Sequence, residues 1–421
     1  MAINRSVRHI LQMAAAAKGG GGVSQITTDY YAADIGTTQG YMSTGYVSLY
    51  DAVENKTWIA RQGFDGPANT RRVFVTVFDH ATQTFGPRYP ALTDDLGDDD
   101  HGVPNMEMDA NGFVHIFGGS HGSSAEYSHT TIARDPSSFQ QESKIVGAYT
   151  YPHCVAAGGK LFTFFRNFLG DSEFQLALRE SASIDGNGKA TWLAERAVTT
   201  FGAQRRTYIG DAILRGTDIY IALAQAASDD SWRRDIYVIV FDTLTGNVRN
   251  LANTFTVLKA NQPVSLSDMD TNFKAVSFGA NFGNTPTIKF DAAGNLHLAY
   301  IISASNAGPF NLRHIVWNGI SWSSSNLIVS GMKSRYGTYT LVPEGSTVAI
   351  YYAYSDNYGR LRTGDMWKAL WDGTAWGKFE VVRKATPAYG LDFVGWVKNG
   401  LDEANVVFSE KIVPPEEENS G

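Results

Sequence analysis

Between about residues 26 and 413 the chain alternates short apolar or aromatic runs with polar punctuation rich in glycine, asparagine and aspartate. Residues 72–78 (RVFVTVF), 219–223 (IYIAL), 236–241 (IYVIVF) and 348–352 (VAIYY) are typical of the runs. Their period-two alternation, β-branching and closely spaced turn residues predict strands. Sustained helical periodicity is nearly absent, so the expected class is all-β.

The hairpin design repeats. Asp109, Gly112, His115 and Phe117 recur at the same offsets as Asp291, Gly294, His297 and Ala299, a tight Asp/Gly turn opening a strand that carries a histidine. Trp317 and Trp322 flank a glycine-containing turn, and Trp371 and Trp376 flank its echo; both pairs predict type I′-like hairpins. Recurrence of one supersecondary unit argues for repeated blades. The expectation is a β-propeller of seven blades with four antiparallel strands each, at roughly 55 residues per blade; six or eight blades also fit the length. A single domain spans 26–413. Residues 1–25 are expected to be a tail, a short helix followed by a glycine-rich linker, and 414–421 a disordered acidic tail.

Composition sharpens this in three ways. Aromatic residues make up 12% of the chain and glycines number 42, which favours strands and tight turns over helical bundles. A formal charge of -7 gives no general support to a nucleic-acid partner, although a few arginines lining one cleft would suffice to hold a polyanion at contact distance. One cysteine, Cys154, rules out an internal disulfide framework. No apolar run is long enough to span a membrane, so membrane insertion is not expected. The basic and apolar N-terminus resembles a signal peptide only loosely, since Gln12 and Lys18 interrupt it. Extracellular or surface action is nonetheless the expectation, by secretion or as part of a phage or surface assembly.

Unusual residues concentrate between Asp98 and Tyr208. His101 and His121 lie in glycine-flanked polar segments, and Tyr151, Arg166 and Tyr208 follow at the ends of later strands. In a propeller, equivalent strand ends converge on one cleft though distant in sequence. The set suits proton abstraction beside a carboxylate. An arginine neutralises the acid, a histidine or ionised tyrosine removes the neighbouring C–H proton, and a phenol or imidazole protonates the leaving oxygen. His101, His121, Tyr151 and Tyr208 are therefore the candidate catalytic residues, with Arg166, Asn105, Arg206 and Tyr149 the candidates for substrate binding. His115 and His297, mid-strand at repeated offsets, read as structural. No cofactor is required for this chemistry. The aspartates at 98–100 do not match a calcium loop, and a structural calcium or zinc ion stays open because no ligand spacing is specific.

The stretch from Asp100 through His101, Pro104, Asp109, Gly112 and His115 to His121 resembles the signature of the BNR_4 neuraminidase-repeat proteins. It is similar in particular to the propeller ulvan lyases of polysaccharide lyase families 24 and 25. The likeness continues through residues 126–139, Tyr149, Tyr151, Pro152, Phe165, Arg166, Arg206 and Tyr208. The resemblance implies β-elimination beside a uronic acid in an acidic, ulvan-like polysaccharide. Arg166 would hold the uronate, His121 or His101 would be the base and Tyr151 or Tyr208 the acid. One departure stands out: the bulky Phe168 and Leu169 follow the arginine where the family places a glycine- and serine-rich loop, which points to altered sugar subsites. A non-catalytic glycan-binding propeller, or a phage-tail receptor-binding or depolymerase component, is the rival reading, with Trp58, Trp232, Trp317, Trp322, Trp371 and Trp376 as stacking platforms. A sialidase-type hydrolase ranks lower, because no correctly spaced Asp-box is present.

Overall fold

A computed structural model describes residues 9–15, 25–32, 46–65, 70–94, 104–119, 121–170, 173–202, 205–227, 233–305, 308–332, 339–354, 365–383, 389–401 and 404–412. The four apolar runs singled out above all lie in strands: Thr70–Asp79, Asp218–Ala227, Arg233–Asp242 and Thr347–Tyr354. Helical structure among the described residues is confined to a few single turns, such as Lys259–Asn261 and Met269–Phe273. The architecture is an all-β propeller of antiparallel meanders, each running outward from an inner strand.

Two expectations need correction. The described strands join in four hydrogen-bonded sheets, of eight, nine, eleven and four strands, rather than in seven separate ones. Neighbouring meanders are stitched together: His121–Thr130 pairs with Ile145–Ala157, a single parallel pairing links Leu49 to Lys398, and Phe282–Gly283 bridges two meanders. The second correction concerns the N-terminus. His9–Ala15, expected within a tail of short helix and linker, is a strand, and so is Gln25–Ala32, where the expected domain opens. The former pairs antiparallel with Ala404–Ile412, so the two ends of the chain share one sheet. An apolar run beside an unpaired strand edge satisfies its backbone donors there, which a lone short helix could not do as well.

The repeated turns form as their residues dictate. Asp109 Oδ1 accepts the backbone N–H groups of Asn111 and Phe113, and Gly112 takes φ +87°, a left-handed conformation that costs glycine little. Asp291 and Gly294 (φ +90°) repeat this. The tryptophan hairpins are wider than a type I′ turn. Four residues separate each pair, Asn318 and Asp372 accept the loop N–H groups with their side chains, and in each loop only the glycine has positive φ.

Apolar faces fill the space between meanders. The largest cluster packs Phe162, Phe164 and Leu178 against Ile219, Leu223, Tyr237 and Phe241. Polar groups knit the inner strands. The buried Lys289 ammonium lies 2.5 Å from Asp211, which also accepts from Tyr46 (2.5 Å) and Thr287 (3.1 Å), and it sits 4.7 Å from the Trp396 ring. Lys398 pairs with the buried Glu107 nearby. These contacts join residues up to 291 positions apart.

Candidate active site

Three neighbouring strands put the chemistry in one row. Thr150, in Ile145–Ala157, stands opposite His121 on one side and Arg166, in Lys160–Gly170, on the other. Adjacent strands lie about 4.8 Å apart, so the His121 and Arg166 backbones are separated by only about 10 Å. The ladder then shifts between Thr150 and His153, leaving Tyr151 and Pro152 in a bulge. Proline has no N–H to lose to the ladder and suits such a position. Tyr151 has φ +56°, unusual for a bulky residue and a local strain that the surrounding packing must hold. The bulge carries the Tyr151 ring towards Tyr208, which arrives on Arg205–Arg215; the ring centroids lie 6.1 Å apart.

Arg166 is the centre of this group. It is 4% exposed, and its guanidinium carbon lies 4.6 Å from the Tyr151 ring, 4.7 Å from Phe174 and 4.9 Å from Tyr208. Three aromatic faces surround a cation that makes no ion pair with a carboxylate among the described residues, and its Nε has no hydrogen-bond partner. Cation–π attraction offsets part of the desolvation of that charge, on the order of 2 kcal/mol per desolvated contact at best; an unpaired buried charge costs more. Arg206 stacks 5.6 Å from the same Phe174 ring, and its Nε is likewise unpartnered. Two guanidiniums beside one ring concentrate positive charge at that spot.

His121 and Arg206, at the first and second positions of their strands, thus share one region with Tyr151 and Arg166, which lie mid-strand, and with Tyr208. His121 is exposed at the first position of its strand, and the next N–H, of Gly122, donates to Thr150 Oγ1 at 2.9 Å. His101 lies outside the described residues.

Two candidates for substrate binding, Tyr149 and Asn105, have their polar atoms hydrogen-bonded within the protein. Tyr149 is fully buried; its hydroxyl donates to Glu195 (2.5 Å) and accepts from Arg179 Nε (2.9 Å). Burial first, then the Glu195 carboxylate, pushes its pKa up to about 12. Asn105 is buried, with Oδ1 accepting from Cys154 N (2.8 Å) and Nδ2 donating to the Tyr46 carbonyl (3.2 Å), so both ends of its amide are committed to backbone. On a regular strand Tyr149 and Tyr151, two positions apart, would share a face; the register shift between Thr150 and His153 turns them apart. Glu195 also accepts from Asn167 Nδ2 (2.8 Å), tying the Arg166 strand to the Tyr149 strand.

Sequence reasoning did not single out Phe174, Glu195 or Arg179. The available signal for Phe174 was its place as cross-strand partner of Phe168 beyond the turn at Gly170. His115 is buried, hydrogen-bonded to the Tyr127 hydroxyl (3.0 Å) and 3.6 Å from Asp109. His297 lies 3.2 Å from Asp291 and 2.8 Å from His314. Among the described residues no group of three or more His, Cys, Asp or Glu side chains is arranged to hold a metal ion.

A family model described as BNR repeat-containing family member matches residues 44–328. Among curated proteins, an ulvan lyase of Alteromonas sp. (strain LOR) is 23% identical, with the match covering 86% of this chain and 81% of the relative. An ulvan lyase-PL25 of Pseudoalteromonas sp. (strain PLSV) is 22% identical, covering 85% and 79%. Among solved structures, a polysaccharide lyase PL25 ulvan lyase bound to -[GlcA(1-4)Rha3S]- superposes with a TM-score of 0.70 at 18% identity, covering 95% of this chain and 93% of that one. The polysaccharide lyase Uly1 gives 0.57 at 11% identity, covering 89% and 90%.

Proposed function

Because the chain belongs to the BNR repeat-containing family, and its relatives carry the names of ulvan lyases, we propose that it is a polysaccharide lyase that cleaves an acidic, uronate-containing, ulvan-like polysaccharide by β-elimination. The observation that carries this reading is the Arg166 guanidinium, buried among three aromatic rings without a carboxylate partner among the described residues. A uronate carboxylate supplies the missing counter-charge.

Pairing with Arg166 withdraws charge from the carboxylate and stabilises the enolate-like species that forms when the neighbouring C–H proton leaves. His121 or His101 takes that proton. The electron pair forms the new C=C bond as the C–O bond to the next sugar breaks, and the Tyr151 or Tyr208 hydroxyl protonates the departing oxygen. Arg206, on the other guanidinium position beside Phe174, contacts a second acidic group or the same uronate. Phe168 and Leu169, 39% and 51% exposed beside this site, form an apolar rim that shapes the adjoining sugar subsite. A polysaccharide of this kind is met outside the cell, so the protein acts in the extracellular space or on a surface assembly.

The test is direct. Incubation with a panel of uronate-containing polysaccharides, ulvan included, is expected to produce the ultraviolet absorbance of an unsaturated uronate, and His121→Ala and Tyr208→Phe are expected to abolish it. Binding to a panel member with no such absorbance from the wild-type protein would identify a glycan-binding module instead.

A further inference from the structure

The paired-tryptophan hairpins have no part in the proposed reaction. They join Phe310–Trp317 to Asn326–Met332 and Asp365–Trp371 to Trp376–Arg383, strands that carry no residue of the candidate active site. Between the two meanders that carry them lies a cleft of about 730 Å³, walled by Val316, Asn318 and Asn326 on one side and by Trp371, Asp372 and Thr374 on the other. That volume is in the range of saccharide-sized ligand sites.

The chemistry of the lining is specific in what it includes and omits. No lysine or arginine contributes, whereas two carboxylates, Asp291 and Asp372, do. His297 is the basic side chain of the lining, and it is buried. The Asp291 carboxylate accepts the Nε2–H of His297 (3.2 Å). With His297 neutral, its Nδ1 is a lone pair that accepts the Nε2–H of His314 (2.8 Å), and His314 Nδ1 is buried without a partner. Burial holds both imidazoles below their ordinary pKa, in keeping with that arrangement. The cleft therefore carries negative charge only and repels a uronate.

Its free polar groups are of the kind that sugar hydroxyls satisfy. Asn318 Oδ1 is occupied by the N–H groups of Ile320 and Ser321, leaving its NH₂ as a donor. Asn326 Nδ2 donates to the Ser324 carbonyl, leaving its Oδ1 as an acceptor. Asp372 Oδ1 accepts from the Thr374 and Ala375 N–H groups, leaving Oδ2. An amide donor, an amide acceptor and a carboxylate oxygen beside Trp371 match vicinal hydroxyls on an uncharged ring, while Asp291, with both oxygens accepting hydrogen bonds, leaves the single free oxygen of Asp372 a poor cation site.

We propose that this cleft is a second, non-catalytic saccharide site that binds a neutral oligosaccharide segment. It does not depend on the elimination reading. The test uses the full chain, with neutral tetrasaccharides of glucose, xylose and rhamnose and an oligogalacturonate tetrasaccharide as probes, read by saturation-transfer NMR and by titration. At least one neutral tetrasaccharide is expected to bind. Asn326→Ala, which removes an acceptor, and Ser346→Trp, which fills the cleft from its exposed edge, are each expected to weaken that binding about tenfold or more. Oligogalacturonate binding and any ultraviolet-detected elimination are expected to stay as in the wild type, so a failed lyase assay leaves this result unaffected. Absence of binding by all three neutral probes, or neutral binding undiminished in both variants while thermal melts show them folded, overturns the proposal.

Discussion

At the scale of single residues, function and stability pull in opposite directions at Arg166. An unpartnered buried cation is a liability in the free protein, retained here in an aromatic cage. Arg166→Met keeps the volume and removes the charge. It is expected to lower the elimination rate about 100-fold or more, the scale of losing one electrostatic contact to a developing anion. Its melting temperature, followed by calorimetry, should equal or exceed that of the wild type; a clear fall would mean that Arg166 has an anionic partner in the free protein. Tyr149 and Tyr151 make the complementary contrast. Tyr149→Phe loses the bonds to Glu195 and Arg179 and leaves both groups less well satisfied, so about 1–3 kcal/mol of unfolding free energy should go while substantial turnover persists. Tyr151→Phe is expected to do the reverse. Denaturant melts beside ultraviolet assays of both variants separate the structural tyrosine from the catalytic one.

Elements are held together by buried polar groups whose ionisation sets the pH response. His115, His297 and His314 all have pKa values depressed by burial. Above about pH 6.5 they are neutral in the folded and unfolded chain alike, and no penalty arises. As pH falls below that value the unfolded chain takes up protons that the folded one resists, so folded-state stability declines, by up to about 1.4 kcal/mol per pH unit for each group. Denaturant midpoints should therefore fall from pH 7 to pH 5, and His314→Phe should flatten that slope; a midpoint that rises on acidification would contradict the account. The inner-strand pair behaves differently, because Lys289 and Asp211 are buried together and satisfy one another. Lys289→Met leaves the Asp211 carboxylate buried with Tyr46, Thr287 and the N–H groups of Ala212 and Ile288 but no counter-charge, and about 3–5 kcal/mol of stability is expected to be lost, measurable by denaturant titration.

For the whole molecule, the decisive contact is between the two ends of the chain. His9–Ala15 pairs along Ala404–Ile412, and Gln25–Ala32 covers the outer edge of His9–Ala15. Removing residues 1–32 would take two strands from the eight-stranded sheet and expose the Ala404–Ile412 edge, an invitation to intermolecular pairing. The truncated protein is expected to melt several degrees lower and to aggregate on heating, as light scattering would show. An unchanged melt would mean that the N-terminal strands are dispensable to closure.

Much of this organisation could be read from the chain alone. Strand periodicity, the Asp/Gly turns and the recurrence of one hairpin are local properties: period-two alternation and a glycine at positive φ follow from a residue and its neighbours. The same is true of the structural assignment of His115 and His297. What lay beyond the sequence were the relations between distant segments. The pairing of both termini, the stitching of meanders into four sheets, and the commitment of Asn105 and Tyr149 to Cys154, Tyr46, Glu195 and Arg179 depend on which strand lies beside which. The Tyr151 bulge is the sharpest case. A one-residue offset in a ladder decides which of two neighbouring tyrosines meets Arg166, and register is set by the partner strand rather than by the segment itself.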